Sequence, residues 1–293
     1  MNDQHAIFAD GDPQVTCRLL RILAAALMFP LYTNPAQAIV YGGFDIYDRT
    51  DLTLSENGQL RDSQSSLGMH SRYDVDYGSI RVFASADNEL FANQSGYIEA
   101  GVVAGFQDEL FFSTPVPALA HQAGTLRARI DLSGVMDALG EASSAYVFKV
   151  GLGPVADFQH QLSGQAADPN WHIDLMDFVG DGFGSYEFDL PFHFESYAFV
   201  LSMELIVKSQ VGLDNYTNFT RSSAIADLSN TARWGGVLGL FDGAGNPIDE
   251  FQIISTSGYD YVTLQPAPVP LPASVWLVLS GLPLLGSRLR KRS

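Results

Sequence analysis

Between Ile39 and Gln265 apolar and polar residues alternate with a period of two, which restricts the chain to extended strands whose successive side chains point to opposite faces. Phe199, Leu201, Met203, Leu205 and Val207 alternate with Val200, Ser202, Glu204, Ile206 and Lys208. Leu126, Ala128, Ile130 and Leu132 alternate with Arg127, Arg129, Asp131 and Ser133, and Tyr73, Val75 and Tyr77 alternate with Asp74 and Asp76. Trp234 to Phe241 and Ile248 to Ile254 flank the Gly-rich stretch Asp242-Gly243-Ala244-Gly245-Asn246-Pro247, which predicts a hairpin. Many short strands with turn residues between them fit an all-β fold, an antiparallel β-sandwich of the jelly-roll kind. Only Gly134 to Ser144, around Val135, Met136 and Leu139, reads as helical. No repeat of solenoid length is present.

The charge is unevenly spread. The chain of 293 residues has a formal net charge of -17, but residues 39 to 265 hold 30 acids and ten bases, a balance of -20. A phosphate-binding surface needs clustered Lys and Arg, so nucleic acid is excluded as a partner. The ends are basic and apolar instead. Cys17 is the only cysteine, and it precedes the N-terminal apolar run, which does not suit lipidation. A protein trimmed after Ala38 would hold no thiol, so cysteine usage is silent on redox compartment.

At the N-terminus, Arg18 and Arg21 precede the apolar run Ile22 to Phe29, then Pro30, then Ala36-Gln37-Ala38. Cations, a short apolar core and a small-residue box are the three parts of a secretory signal peptide, expected over residues 1–38 with cleavage at Ala36 and Ala38 by signal peptidase. Residues 1–14 are polar and hold three acids, unlike a signal's positive start, so translation is expected to begin at Val15.

At the C-terminus, residues 266–274 form a proline-rich linker, because each Pro fixes φ and lacks an N–H donor. An apolar run from Val275 through Leu285 follows, and then the basic finish Arg288, Arg290, Lys291 and Arg292. The 19 positions from Val269 to Ser287 would reach about 28 Å as a helix, enough for a hydrocarbon core. The terminal cations place that end inside and the acidic domain outside. Residues 275–293 are therefore expected to be a transmembrane helix with a basic stop.

Val269, Pro270, Leu271, Pro272 and Ala273, the apolar helix and the Arg-rich end together resemble the VPLPA subclass of the PEP-CTERM sorting signals of Gram-negative bacteria. The resemblance implies a tail read by a membrane-embedded exosortase-like enzyme that acts near the motif. The segment Ala226-Asp227-Leu228-Ser229-Asn230-Thr231-Ala232, with Ile254-Ser255-Thr256-Ser257-Gly258-Tyr259-Asp260-Tyr261 before the linker, is similar to the last strands of exported β-sandwich proteins of that group. That likeness implies association with biofilm or exopolysaccharide and no assigned enzymatic activity.

Motifs for chemistry are sparse. G-x-S-x-G, H-E-x-x-H and G-x-x-x-x-G-K-[ST] do not occur. Gly151-Leu152-Gly153-Pro154-Val155-Ala156 mimics a dinucleotide turn but lacks a following helix, and is expected to be a loop between strands. Asp168, Asp174, Asp177 and Asp181, among Gly180, Gly182 and Gly184, offer hard oxygen ligands on a flexible stretch; Asp174, Asp177 and Asp181 are the candidate Ca²⁺ ligands, without EF-hand spacing. Asp242, Asn246 and Asp249 are a second acidic group, better explained as turn chemistry. His70, His121, His160, His172 and His193 show no ligand spacing. Trp171, Trp234, Tyr186, Tyr197, Tyr216 and Tyr259 could stack on sugars, although core packing is the commoner use of such rings.

The expectation is an exported structural or adhesive surface or matrix protein, not an enzyme, held at the inner membrane as a precursor. The alternative is a secreted carbohydrate-binding module or glycoside hydrolase on the same sandwich. A domain at -20 repels anionic polymers unless a divalent cation bridges them. Retention on an acidic polysaccharide column is therefore expected to require Ca²⁺, and equal retention in a chelator would contradict this.

Overall fold

The computed structural model describes residues 38–263 except 47–48, 57, 90–95, 155–157, 168–181, 195–197 and 214–220. The expected signal segment before Ala38 and the linker and tail after Thr263 lie outside the described residues. In chain order the strands are β1 (Ile39–Ile46), β2 (Arg49–Ser55), β3 (Gln59–Ser66), β4 (Met69–Asp76), β5 (Ser79–Asp87), β6 (Gly96–Ser113), β7 (Ala123–Leu132), β8 (Val135–Leu139), β9 (Ala142–Gly153), β10 (His160–Ala167), β11 (Gly184–His193), β12 (Phe199–Leu213), β13 (Ser223–Asp242), β14 (Pro247–Ile248) and β15 (Gln252–Ser255). Among the described residues a 3-10 turn, Pro117–Leu119, precedes β7.

The domain is all-β, and its strands form two antiparallel sheets that share one apolar core. The first sheet runs β10-β9-β12-β6-β1-β2, with β15 also paired to β6; the second runs β11-β7-β13-β5-β4-β3, with β8 and β14 also paired to β13. The pairings are nested along the chain: β5 with β13, β6 with β12, β7 with β11 and β9 with β10. Each nested pair lies in the opposite sheet from the one before it, so the folded-over chain wraps the core.

Period two explains which face each strand buries. Leu126, Ala128, Ile130 and Leu132 of β7 and Leu201, Met203, Leu205 and Val207 of β12 are buried, as are Tyr73 and Val75 of β4. The sheets come close where Gly42 of β1 lies under the ring of Tyr73, since a Cβ at Gly42 would sit 2.5 Å from that ring. The Phe44 and Tyr73 rings then meet at 5.1 Å.

Three local readings of the sequence are corrected. Val135 to Leu139 is strand β8 rather than helix: Met136 and Ala138 pack against the core while Val135, Asp137 and Leu139 point outward, and β13 supplies the backbone partners. The expected hairpin is only two pairs long, Leu240 with Ile248 and Phe241 with Pro247, because the chain then crosses to the first sheet as β15. Gly151-Leu152-Gly153 is not a loop but the end of β9, paired with Ser202, Leu201 and Val200 of β12.

One buried polar node ties the two sheets together at one end. Asn88, after β5, donates from Nδ2 to the Gly212 carbonyl of β12 at 3.2 Å and accepts from Ser222 N at 2.9 Å. Ser222 Oγ accepts from Glu141 N at 3.0 Å, and Gly212 N donates to the Glu141 carbonyl at 2.7 Å. Removing Asn88's amide leaves these buried backbone groups short of a partner. Asn88→Ala is expected to lower unfolding free energy by about 1–3 kcal/mol, read from the denaturant midpoint at unchanged slope.

Candidate functional site

The outer row of β12 carries the side chains Ser202, Glu204 and Lys208 on the side away from the core, yet all three are buried. Glu204 pairs across with Gly105 of β6 and Lys149 of β9, and Gly105 in turn with Tyr41 of β1. Gly105 is required because the Tyr41 ring crosses over it: a Cβ there would lie 2.5 Å from Tyr41 Oη and 2.4 Å from the Met203 carbonyl. Tyr41 Oη donates to Glu204 Oε2 at 3.1 Å, and Lys149 Nζ donates to Glu204 Oε1 at 2.9 Å. The Lys149 ammonium also stands 5.5 Å from the centre of the Phe158 ring. Two residues further along the same face pattern, Lys208 Nζ donates to Glu99 Oε1 at 2.9 Å.

Burial pushes the Tyr41 hydroxyl well above its ordinary value and the Glu204 charge adds to the shift, so Tyr41 remains a donor at neutral pH. Glu204's side chain is 3% exposed and Lys149's 19%, so loss of Lys149 would strand a buried charge at Glu204. Each Glu204 oxygen is engaged, by Tyr41 on one side and Lys149 on the other, which suits a carboxylate that holds strands in register.

A second arrangement closes the C-terminal end of the domain. β15 pairs with the end of β6, and Thr256 N donates to the Glu109 carbonyl at 2.9 Å. Ser257 N donates to Asp108 Oδ1 at 3.1 Å, and Ser257 Oγ donates to Asp108 Oδ2. Tyr261 is buried, and its carbonyl accepts from Trp234 Nε1 at 2.8 Å while the two rings meet edge to face at 5.5 Å. Tyr259 packs on Tyr261 at 4.7 Å. Asp260 then accepts from Val262 N at 2.9 Å and Thr263 N at 3.2 Å, where the described chain ends.

Asp108 anchors this clasp from a buried position. Burial raises its carboxyl above the ordinary value, although the Ser257 donors pull the other way. The same surroundings raise the Tyr261 hydroxyl well above its ordinary value, by burial and then by Asp108, and push Tyr77 up to about 12.

Of the sequence-derived site residues, Ala38 is buried and stands directly before Ile39, the first residue of β1. Ala36, the Val269–Ala273 motif, Arg288, Arg290, Lys291 and Arg292 lie outside the described residues, as do Asp168, Asp174, Asp177 and Asp181. Asp242 accepts from Ala244 N, Asn246 N and Asn246 Nδ2, and these turn contacts hold its carboxyl below the ordinary range, those from Asn246 most strongly. Trp234 is core; Trp171, Tyr197, Tyr216 and His172 lie outside the described residues. His70 meets Ser65 Oγ and the Phe83 ring, and His160 meets the Asp189 carbonyl and the Phe188 ring. Among the described residues no three His, Cys, Asp or Glu side chains are grouped to hold a metal ion.

Sequence reasoning passed over Glu204, Lys149 and Tyr41. The available signal was that Lys149 and Lys208 are the only lysines between Ile39 and Gln265, and both lie in strand-like, mainly apolar runs. No family model matches this chain, and no curated protein or solved structure matches it.

The raised carboxyl of Asp108 has a pH signature. The native protein holds that proton more tightly than the unfolded chain, so stability falls as pH rises from the ordinary Asp value, about 4, to the raised one, and is level above it. Asp108→Asn is expected to flatten this slope in thermal midpoints measured across that window. Asp76 and Glu109, raised by burial in the same direction, account for what slope persists. A slope identical to that of the parent protein would contradict the assignment.

Proposed function

We propose that this is an exported cell-surface or extracellular-matrix protein with a structural or adhesive role, its acidic domain a jelly-roll β-sandwich. The nested pairing supports the jelly-roll reading: the strand orders β5-β13-β7-β11 and β6-β12-β9-β10 are those of two interleaved Greek keys, extended at one edge by β4-β3 and β1-β2. A leader over residues 1–38 carries the chain across the inner membrane and is removed by signal peptidase. A tail over 266–293 stops in the membrane and is processed near Val269–Ala273 by an exosortase-like enzyme.

The observation that carries this reading is the presence in one chain of a cation, apolar-core and Ala36-Gln37-Ala38 leader at one end and the Val269–Ala273 motif, apolar run and Arg288 to Arg292 finish at the other. The geometry is compatible with both trims. Removal after Ala38 leaves Ile39 as the first residue of β1, and the clasp ends at Thr263, before the proline-rich linker. Processing at either end would therefore delete no described strand. The alternative of a sugar-binding module or glycoside hydrolase draws less support, because Glu204, the most buried carboxylate of the outer row, is already paired with Lys149 and hydrogen-bonded by Tyr41. Adhesion to anionic matrix polymer would run through bridging Ca²⁺.

Mass spectrometry of the protein recovered from its producer tests the proposal. Mature ends near Ile39 and near Pro270 to Ala273 are expected. A tail intact through Ser293 in membrane fractions would overturn the exosortase step and leave an anchored single-pass protein.

A further inference from the structure

The outer face of the second sheet differs from the rest of this acidic domain. Six of the ten cations between Ile39 and Gln265, namely Arg61, Arg72, Arg81, Arg127, Arg129 and Arg233, stand on it, because each alternates with a core residue or pairs across from one that does. They are interleaved with carboxylates. Arg61 bonds Asp74, Arg81 approaches the same carboxylate at 3.5 Å, Arg129 lies 3.4 Å from Asp131, and Arg127 donates to Asp189 at 2.7 Å. Two guanidiniums lie near exposed-side rings, Arg72 at 5.8 Å from the Phe83 centre and Arg127 at 5.0 Å from that of Phe241.

Beside this charged lattice is an apolar patch facing water. Val135 is 59% exposed, Leu139 60% and Ile225 37%. They are neighbours by register, since Ile225 pairs with Asp137, Ser223 with Leu139 and Asp227 with Val135, and all point away from the core. Arginine, aromatic and aliphatic side chains together are the composition of protein interface cores.

We propose that this face joins two copies of the chain. Alternating charges are self-complementary: a copy related by a two-fold axis presents carboxylates to arginines and arginines to carboxylates. The surrounding surface carries most of the -20 and repels a second copy elsewhere, which selects this face. An anionic polymer fits less well, because the carboxylates of Asp74, Asp131 and Asp189 interleaved among the arginines repel it, whereas a second copy brings arginines to meet them. The face is also large enough. Six strands spaced about 4.8 Å apart and about eight residues long present roughly 650 Å², close to the roughly 800 Å² that each partner contributes to a standard interface.

Sedimentation equilibrium of the full chain in nonionic detergent tests this. A dimer is expected at low salt, weakening as salt rises. The double variant Leu139→Asp with Ile225→Asp is expected to raise the dimer Kd at least about tenfold with the circular dichroism spectrum and thermal midpoint of the parent. Arg72→Glu on the same face is expected to weaken the dimer too, and decides the matter should the double variant fail to fold. Leu54→Asp, an exposed site on the first sheet, is expected to leave the dimer intact. A chain that stays monomeric, a dimer that survives the face variants as tail-driven association would, or a monomer that binds acidic polysaccharide and loses that binding with Arg72→Glu would each overturn the proposal.

Discussion

Strand β12 lies in the middle of the first sheet with both faces out of water, so the charged side chains it carries must find partners inside the protein. Its inner row is apolar and meets the second sheet. Its outer row carries Glu204 and Lys208, and the neighbouring strands are arranged around their needs: β9 supplies Lys149, β6 supplies Glu99 and the bare backbone of Gly105, and β1 supplies Tyr41 across that gap. A two-residue slip of any of these strands would keep its apolar row inward but carry the donor away from Glu204, so the ion pairs specify register where hydrophobic pattern alone would tolerate alternatives. Such pairs contribute modestly to stability when intact and are strongly destabilising when half removed.

The same pattern explains what could be read in advance. Strands such as β7 and β12 were legible because one face is uniformly apolar, and period two then fixes both the element and its buried side. β8 was not, because Val135, Met136 and Leu139 also satisfy a helical spacing; what decides for a strand is the open edge of β13 that it pairs with, a feature invisible locally. The short β14 hairpin and the crossing of β15 depend on the free edge of β6 beyond β1, again a property of the assembled sheet. Gly151 and Gly153 resembled loop residues by type, but they pair with Ser202 and Val200 of β12, a partner strand that the local sequence does not show.

The candidate site was less legible than the fold. Acidic and glycine-rich stretches drew attention to residues 168 to 181, whereas the described structure brings together Glu204, Lys149 and Tyr41 from positions far apart in the chain. Charge composition likewise concealed an uneven distribution. Six of the eight arginines between Ile39 and Gln265 sit on the outer face of the second sheet beside carboxylates, and the two lysines pair with Glu204 and Glu99 on the first. A net balance of -20 therefore describes the molecule's long-range field but not each of its surfaces.

The clasp formed by Tyr261 and its neighbours determines how the domain would answer a pull on its C-terminal end. Tension applied at Thr263 meets the Asp260 turn first and then Tyr261, whose ring is buried against Trp234 and whose carbonyl is held by the Trp234 indole. Only after that ring leaves the core does load pass to Ser257, Thr256 and the hydrogen bonds that join β15 to β6. The sheets themselves are thus shielded from a pull at this end by a short segment that gives way first, so moderate tension would loosen the exit of the chain while leaving the core folded.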